Sequence, residues 1–181
     1  MDDYTSAEFL SCHVNGCNGV RESGPPAMAK THRLVSVTLV PAPIEEVFDF
    51  FSRAENLERI TPPELGFRIL TPLPIEMRPG ALIAYRLKLN GIPFRWQTEI
   101  TVWEPTVRFV DVQLRGPYRQ WVHEHRFESV PEGTRMTDDL TYALPFGFFG
   151  NLAHRLFVRK KVEAIFSHRE KVLSKIFPAG A

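Results

Sequence analysis

The stretch WVHEHRFESVPEGTRMTDDLTYALPFGFFGNLAHRLFVRKKVEAIFSHREKVLSKIF, residues 121–177, decides the fold. Its first part alternates with a period of two. Glu124, Arg126 and Glu128 share one face, while Trp121, His123, His125 and Phe127 share the other, so the charged face meets solvent and the ring-rich face points inward. The turn residues Pro131-Glu132-Gly133-Thr134 send the chain back in a second strand, with Met136, Asp138, Leu140, Tyr142 and Leu144 on the same inner face. The period then changes. Val158, Val162, Ile165, Phe166, Val172, Leu173 and Ile176 recur at helical spacing, which predicts a long helix over about Asn151–Phe177. Asn151 can cap it and Pro178-Ala179-Gly180 stops it, while the link PFGFFG at 145–150 joins strand to helix.

Upstream, RLVSVTLV at 33–40 reads as a β-branched strand. PAPIEEVFDFFSRAENLERI follows, with a proline suited to a first helical turn and Ile44, Val47, Phe48 and Phe51 at helical spacing. A second short helix, around Glu55–Ile60, ends before Pro62-Pro63, because proline disfavours helix in the residue ahead of it. Strands are expected at about 67–71, 81–89, 93–103 and 107–114, then 118–129 and 134–144, with hairpin signals at Asn90-Gly91 and Gly116-Pro117. The order gives an α+β domain: a curved antiparallel sheet wrapped around one long C-terminal helix, with two short helices after the first strand.

Composition narrows the function. The 181 residues are 44% hydrophobic and 24% charged, as in a globular chain, and one domain is expected over 30–178. Residues 1–29 lack a sustained period and read as a disordered extension, with Met28 resembling a natural start. A net charge of +1 argues against a nucleic-acid partner. The first residues carry acids and no apolar core, unlike a secretory signal, and both cysteines (Cys12 and Cys17) fall in this leader, which fits a cytoplasmic protein. No G-x-S-x-G, P-loop or dinucleotide fingerprint is present. Aromatic residues reach 12%, with 14 Phe, which means either a very aromatic core or a hollow lined with rings.

Three strings, VPAPIEEVFDFFSRAENLERITPP at 40–63, WVHEHRFESVPEGTRMTDDLTYALPFG at 121–147 and LFVRKKVEAIFSHREKVL at 156–173, resemble the START-like superfamily of helix-grip proteins. Within it they look like the bacterial branch of polyketide cyclase/dehydrase, lipid-transport and coenzyme Q-binding proteins. The resemblance extends over about residues 31–177 and implies a helix-grip fold with an apolar ligand between sheet and helix. It carries no catalytic residue over to this chain.

Strand alternation assigns the inner wall. Tyr85 stands with Ile83, Leu87 and Leu89; Phe94 and Trp96 stand with Thr98, Ile100 and Val102; Val110, Val112 and Leu114 follow. His123 is expected across from Tyr142, and His125 near Asp138 and Tyr142, a polar cluster in an apolar wall. The candidate binding residues are Tyr85, Phe94, Trp96, Trp121, His123, His125, Phe127, Asp138, Tyr142 and Phe166, together with Phe148 and Phe149 of the link, which could plug the entrance or simply cover a corner. His-X-His on one face can chelate a metal, but no third ligand is evident, and neither a metal nor a cofactor is expected. Three functions stay open: a carrier for a quinone, polyketide or lipid, a cyclase/dehydrase using the same His and Tyr as acid and base, and a module that recruits a protein partner. The final helix has Arg155, Arg159, Lys160, Lys161, Arg169, Lys171 and Lys175 against Glu163 and Glu170, a local +5 that would suit peripheral contact with an anionic membrane.

Overall fold

A computed structural model describes residues 30–179; the extension expected over 1–29 lies outside the described residues. The chain opens with β1 (Thr31–Val40), then α1 (Ile44–Ser52) and α2 (Asn56–Ile60). Pro43 precedes the first turn of α1, where a missing N–H costs nothing. Asn56 Nδ2–H donates to Phe50 O at 2.8 Å and ties the two short helices together. Pro62-Pro63 permits only a single 3-10 turn at Pro63–Leu65. The strands follow: β2 (Arg68–Ile69), β3 (Leu82–Leu89), β4 (Ile92–Glu104), β5 (Arg108–Arg115), β6 (Gln120–Val130) and β7 (Gly133–Ala143).

They form one seven-stranded antiparallel sheet in the order β1-β7-β6-β5-β4-β3-β2. All but the β1–β7 pairing join strands consecutive in the chain, and short turns explain this. The β3–β4 turn is Asn90-Gly91 with φ of 53° and 81°, the paired left-handed conformation whose twist matches the flanking strands. β1 is an edge strand; its inner residues face the core, and its outer residues Val35, Val37 and Leu39 are exposed. The helical region starts at Gly147 rather than at Asn151. Phe146 and Gly147, both at positive φ, turn the chain at once into α3 (Gly147–Ala153). A π-helical turn at His154–Val158 then leads into α4 (Arg159–Ile176). The sheet curves around α4 in the expected helix-grip arrangement.

Two inner-wall assignments differ from the alternation reading. β4 has register shifts between Gln97 and Thr98 and between Ile100 and Val102. The second inserts Thr101, so Trp103 and not Val102 faces in, against Phe48 at 5.2 Å and Phe109 at 5.5 Å. In β5, Phe109 pairs with His125 and Asp111 with His123, which places Phe109 and Asp111 inside and Val110, Val112 and Leu114 outside. A strand repeats every two residues, so an error of one exchanges its faces completely.

The core is solid at one end. Phe48, Phe50 and Phe51 of α1 pack with Phe109, Phe127 and Met136 of the sheet and with Leu173 and Phe177 near the chain end. Each such ring contributes about 1.5–3 kcal/mol on burial.

Gly133 turns β6 into β7 at φ 131°, and a Cβ there would lie 2.3 Å from Val40 O. At Gly91, with φ 81°, a Cβ would meet nothing within 4 Å. Both alanine variants store backbone strain of about 1–3 kcal/mol, but only Gly133→Ala also forces β1 away from the turn. In urea unfolding Gly133→Ala is expected to lose more stability than Gly91→Ala; equal losses would contradict this packing.

Candidate functional site

Beyond the solid end, sheet and α4 separate and leave a partly open hollow of about 160 Å³. Rings form much of its wall. Trp96 stacks on Tyr85 at 5.8 Å and meets Trp121 edge-on at 5.2 Å and Tyr118 at 5.6 Å. Phe50, Phe51 and Ile60 close it from the short helices, and Val162, Ile165 and Phe166 from α4. The indole Nε1–H of Trp96 and Nε–H of Arg169 are buried without a hydrogen-bond partner, and both residues line the hollow. Buried N–H donors are nearly always satisfied, so each of these two is left wanting an acceptor.

Six of the twelve residues expected at the site line the hollow: Tyr85, Trp96, Trp121, His123, His125 and Phe166. The other six stand elsewhere. Phe94 pairs with Leu87 toward the hairpin end, outside the lining residues. Phe127 belongs to the solid core, 5.2 Å from Phe48 and 5.7 Å from Phe51. Asp138 is fully buried against the two histidines and does not line the hollow. Tyr142 pairs with Trp121, not His123, and its hydroxyl is hydrogen-bonded to His154 Nε2 at 2.9 Å, beside an open groove between β1 and α4. Phe148 and Phe149 are 76% and 75% exposed on α3. Tyr142 is therefore not placed to act with His123 on one substrate.

The polar cluster is built around two carboxylates. His123 Nε2–H donates to Asp138 Oδ1 at 2.8 Å, and so does Arg169 Nη1–H at 2.8 Å. His125 Nε2–H donates to Asp111 Oδ2 at 2.9 Å. His125 Nδ1 lies 2.9 Å from Asp138 Oδ1, but the approach misses hydrogen-bond geometry, so the contact is one of charge. His123 Nδ1 lies 3.6 Å from Asp111 Oδ2. Each histidine thus faces Asp111 with one ring nitrogen and Asp138 with the other.

Burial alone would favour neutral acids here. The charge of Arg169, the His123 hydrogen bond and the adjacent His125 ring nevertheless hold Asp138 well below the usual carboxylate range. For Asp111 the His125 bond, with the charges of His123, His125 and Arg169, overcomes the same burial. His125 is raised despite burial, because both of its nitrogens meet carboxylates, whereas burial and the neighbouring His125 lower His123. Burial and the charge of Asp111 also raise Tyr85, which keeps its phenol a donor.

Three lining residues escape a reading of alternation and charge. The one-residue shift in β5 puts Asp111 on the outer face; its pairing with His123 reverses that. Arg169 counts among the basic side chains of the last helix, yet its side chain is only 11% exposed. Its spacing from Val162, Phe166 and Leu173 places it on the buried face and is the available signal. Tyr118 falls in the strand expected over 118–129, where alternation puts it on the outer face with Glu124; β6 begins only at Gln120, so the turn and not the strand directs this ring to the hollow.

No curated protein is significantly similar to the chain in sequence. Residues 40–165 match the family described as polyketide cyclase / dehydrase and lipid transport. A Chromobacterium violaceum protein superposes with a TM-score of 0.61 over 82% of this chain and 97% of its own, at 14% identity. Major latex-like protein 151 of Panax ginseng gives 0.60 over 81% and 97%, at 11% identity. A Thermus thermophilus protein gives 0.57 over 81% and 99%, at 22% identity. At these identities the likeness is one of fold.

Removing Asp138 leaves Arg169 and His123 buried without their common acceptor and takes away one of the two charges beside His125. Asp138→Ala is expected to lower unfolding free energy by about 3 kcal/mol or more, read from urea titration. A loss below about 1 kcal/mol would show that the cluster does not hold the fold.

Proposed function

Because the chain belongs to the polyketide cyclase / dehydrase and lipid transport family, we propose that its hollow binds an apolar, ring-bearing small molecule with at least one acceptor oxygen, such as a quinone or aromatic polyketide. The observation that carries this reading is the pair of unpartnered buried N–H donors, on Trp96 and Arg169, in an otherwise ring-rich wall. Rings supply contact area, and the donors fix orientation by meeting the ligand oxygen. The hollow of about 160 Å³ seats one ring, since a closed cavity of ~150 Å³ admits benzene, and its open side leaves a second fused ring room to extend. The role is that of a carrier, which needs affinity without turnover.

Calorimetric titration with 1,4-naphthoquinone and with naphthalene tests it. The quinone is expected to bind roughly 5-fold tighter or more, as one hydrogen bond allows, and Trp96→Phe should narrow that preference. Absence of binding by both compounds would refute an accessible hollow; equal affinities would refute the role of the donors.

A carrier of insoluble molecules needs access to membrane, and one surface suits that step. Phe146, Phe148 and Phe149 are at least three-quarters exposed, with Leu152, Leu156 and Phe157 further along the same segment. Arg155, Lys160 and Lys161 lie beside them in the chain. Rings that enter the acyl boundary next to cations that meet headgroups match an anionic bilayer. No helix among the described residues is long and apolar enough to cross a membrane, so the contact would be peripheral. Sedimentation with phosphatidylserine-containing vesicles is expected to carry the protein down. The double variant Phe148→Glu/Phe149→Glu should weaken this by about 10-fold or more. Vesicle binding unchanged by that variant would place the contact elsewhere.

A further inference from the structure

We propose that Asp111 Oδ2, His123 Nδ1 and His125 Nε2 form a site for one divalent transition-metal cation on the wall of the hollow. The three side chains converge from adjacent strands, and these ligand-type atoms all lie within 4.8 Å of one another. Two edges of the triangle measure 2.9 Å, from His125 Nε2 to Asp111 Oδ2, and 3.6 Å, from His123 Nδ1 to the same oxygen. Ligands bound at ~2.0–2.1 Å in neighbouring positions of one cation stand about 3.0–3.4 Å apart, so these two edges need adjustments of only a few tenths of an ångström, and the third closes within the 4.8 Å that bounds the set.

A second feature is independent of that triangle. Of the remaining imidazole nitrogens, His123 Nε2 is hydrogen-bonded to Asp138 Oδ1 at 2.8 Å, and His125 Nδ1 lies 2.9 Å from the same oxygen. Metal-bound histidines almost always present their outer nitrogen to such a carboxylate, which fixes ring orientation and raises ligand basicity. Arg169 in turn anchors Asp138 at 2.8 Å, which commits the guanidinium to the outer shell. With both imidazoles neutral, the two carboxylates and Arg169 leave one net negative charge for a cation to meet. In the neutral ring the Nε2 proton of His125 moves to Nδ1, which lies beside Asp138, and Nε2 is left free to bind the cation.

The donor set selects the class of metal. Two imidazoles and one carboxylate suit zinc or ferrous iron and disfavour magnesium and calcium, which prefer oxygen. All three ligands line the hollow, so the positions they leave open face the space where the apolar molecule would sit. An oxygen of that molecule, or water, would complete the coordination.

The test uses untagged full-length protein, stripped with chelator and titrated with Zn²⁺ and with Co²⁺. One equivalent is expected to bind, with visible Co²⁺ absorption bands. Asp111→Asn should weaken both metals at least about 10-fold while circular dichroism stays native. His168→Ala, outside the cluster, should bind as the parent does. Absence of binding by the parent protein would overturn the site. So would an Asp111→Asn variant of parental affinity, or a His168→Ala variant as weak as Asp111→Asn. Naphthoquinone titration of the metal-free protein reports on the hollow separately, so either result can fail without the other.

Discussion

A single buried oxygen, Oδ1 of Asp138, ties three elements together. It sits on β7, accepts from His123 on β6 and from Arg169 on α4, and has His125 beside it. An ionised carboxylate with its solvent removed is tolerable only when its partners stand at bonding distance. Apolar contacts from Val162, Phe166 and Leu173 hold α4 onto the sheet, but hydrophobic attraction has little direction. Arg169 supplies the direction. The helix must lie where that guanidinium reaches Asp138, and this fixes its rotation and height above the strands.

The same constraint divides the interior. Where α1 and the end of α4 bring phenylalanines to the sheet, rings interlock and no space remains. Over the His–Asp cluster the inner face of the sheet is polar; Phe109 stacks on His125 at 4.2 Å and Phe166 meets His123 edge-on at 5.5 Å, yet neither ring fills the space beside the cluster. Space is left there, bordered by Trp96, Trp121 and Tyr85.

Much of this is legible from residue order. Strand periods, the Asn90-Gly91 turn and the paired short helices follow from local chemistry, and each strand is anticipated close to its observed bounds. The inner face of β6 is legible for the same reason: Glu124, Arg126 and Glu128 leave its alternation no second solution. β5 is not. In RFVDVQLR the apolar residues alternate with Asp111 and Gln113, which looks like a solvated polar face, yet that face meets the histidines. The bulge in β4 is equally silent, since an inserted residue such as Thr101 has no compositional mark. Pairing across strands, a property of the assembled sheet, decides both. Arg169 is hidden by its own type, because a charge on a basic helix reads as solvated until its partner is known.

The π-helical turn at His154–Val158 has a geometric effect beyond its five residues. Each residue of an α-helix advances about 100° around the axis, and a π-turn takes up one extra. The azimuth of α3 is therefore offset from that of α4, and one continuous helical path presents two greasy stripes in different directions. α4 aims its stripe at the sheet through Val162 and Phe166; the segment before it aims Phe148, Phe149 and Leu156 outward. A single-residue wedge in the backbone thus keeps the rings of α3 from dissolving into the protein's own interior and leaves them facing the world outside it.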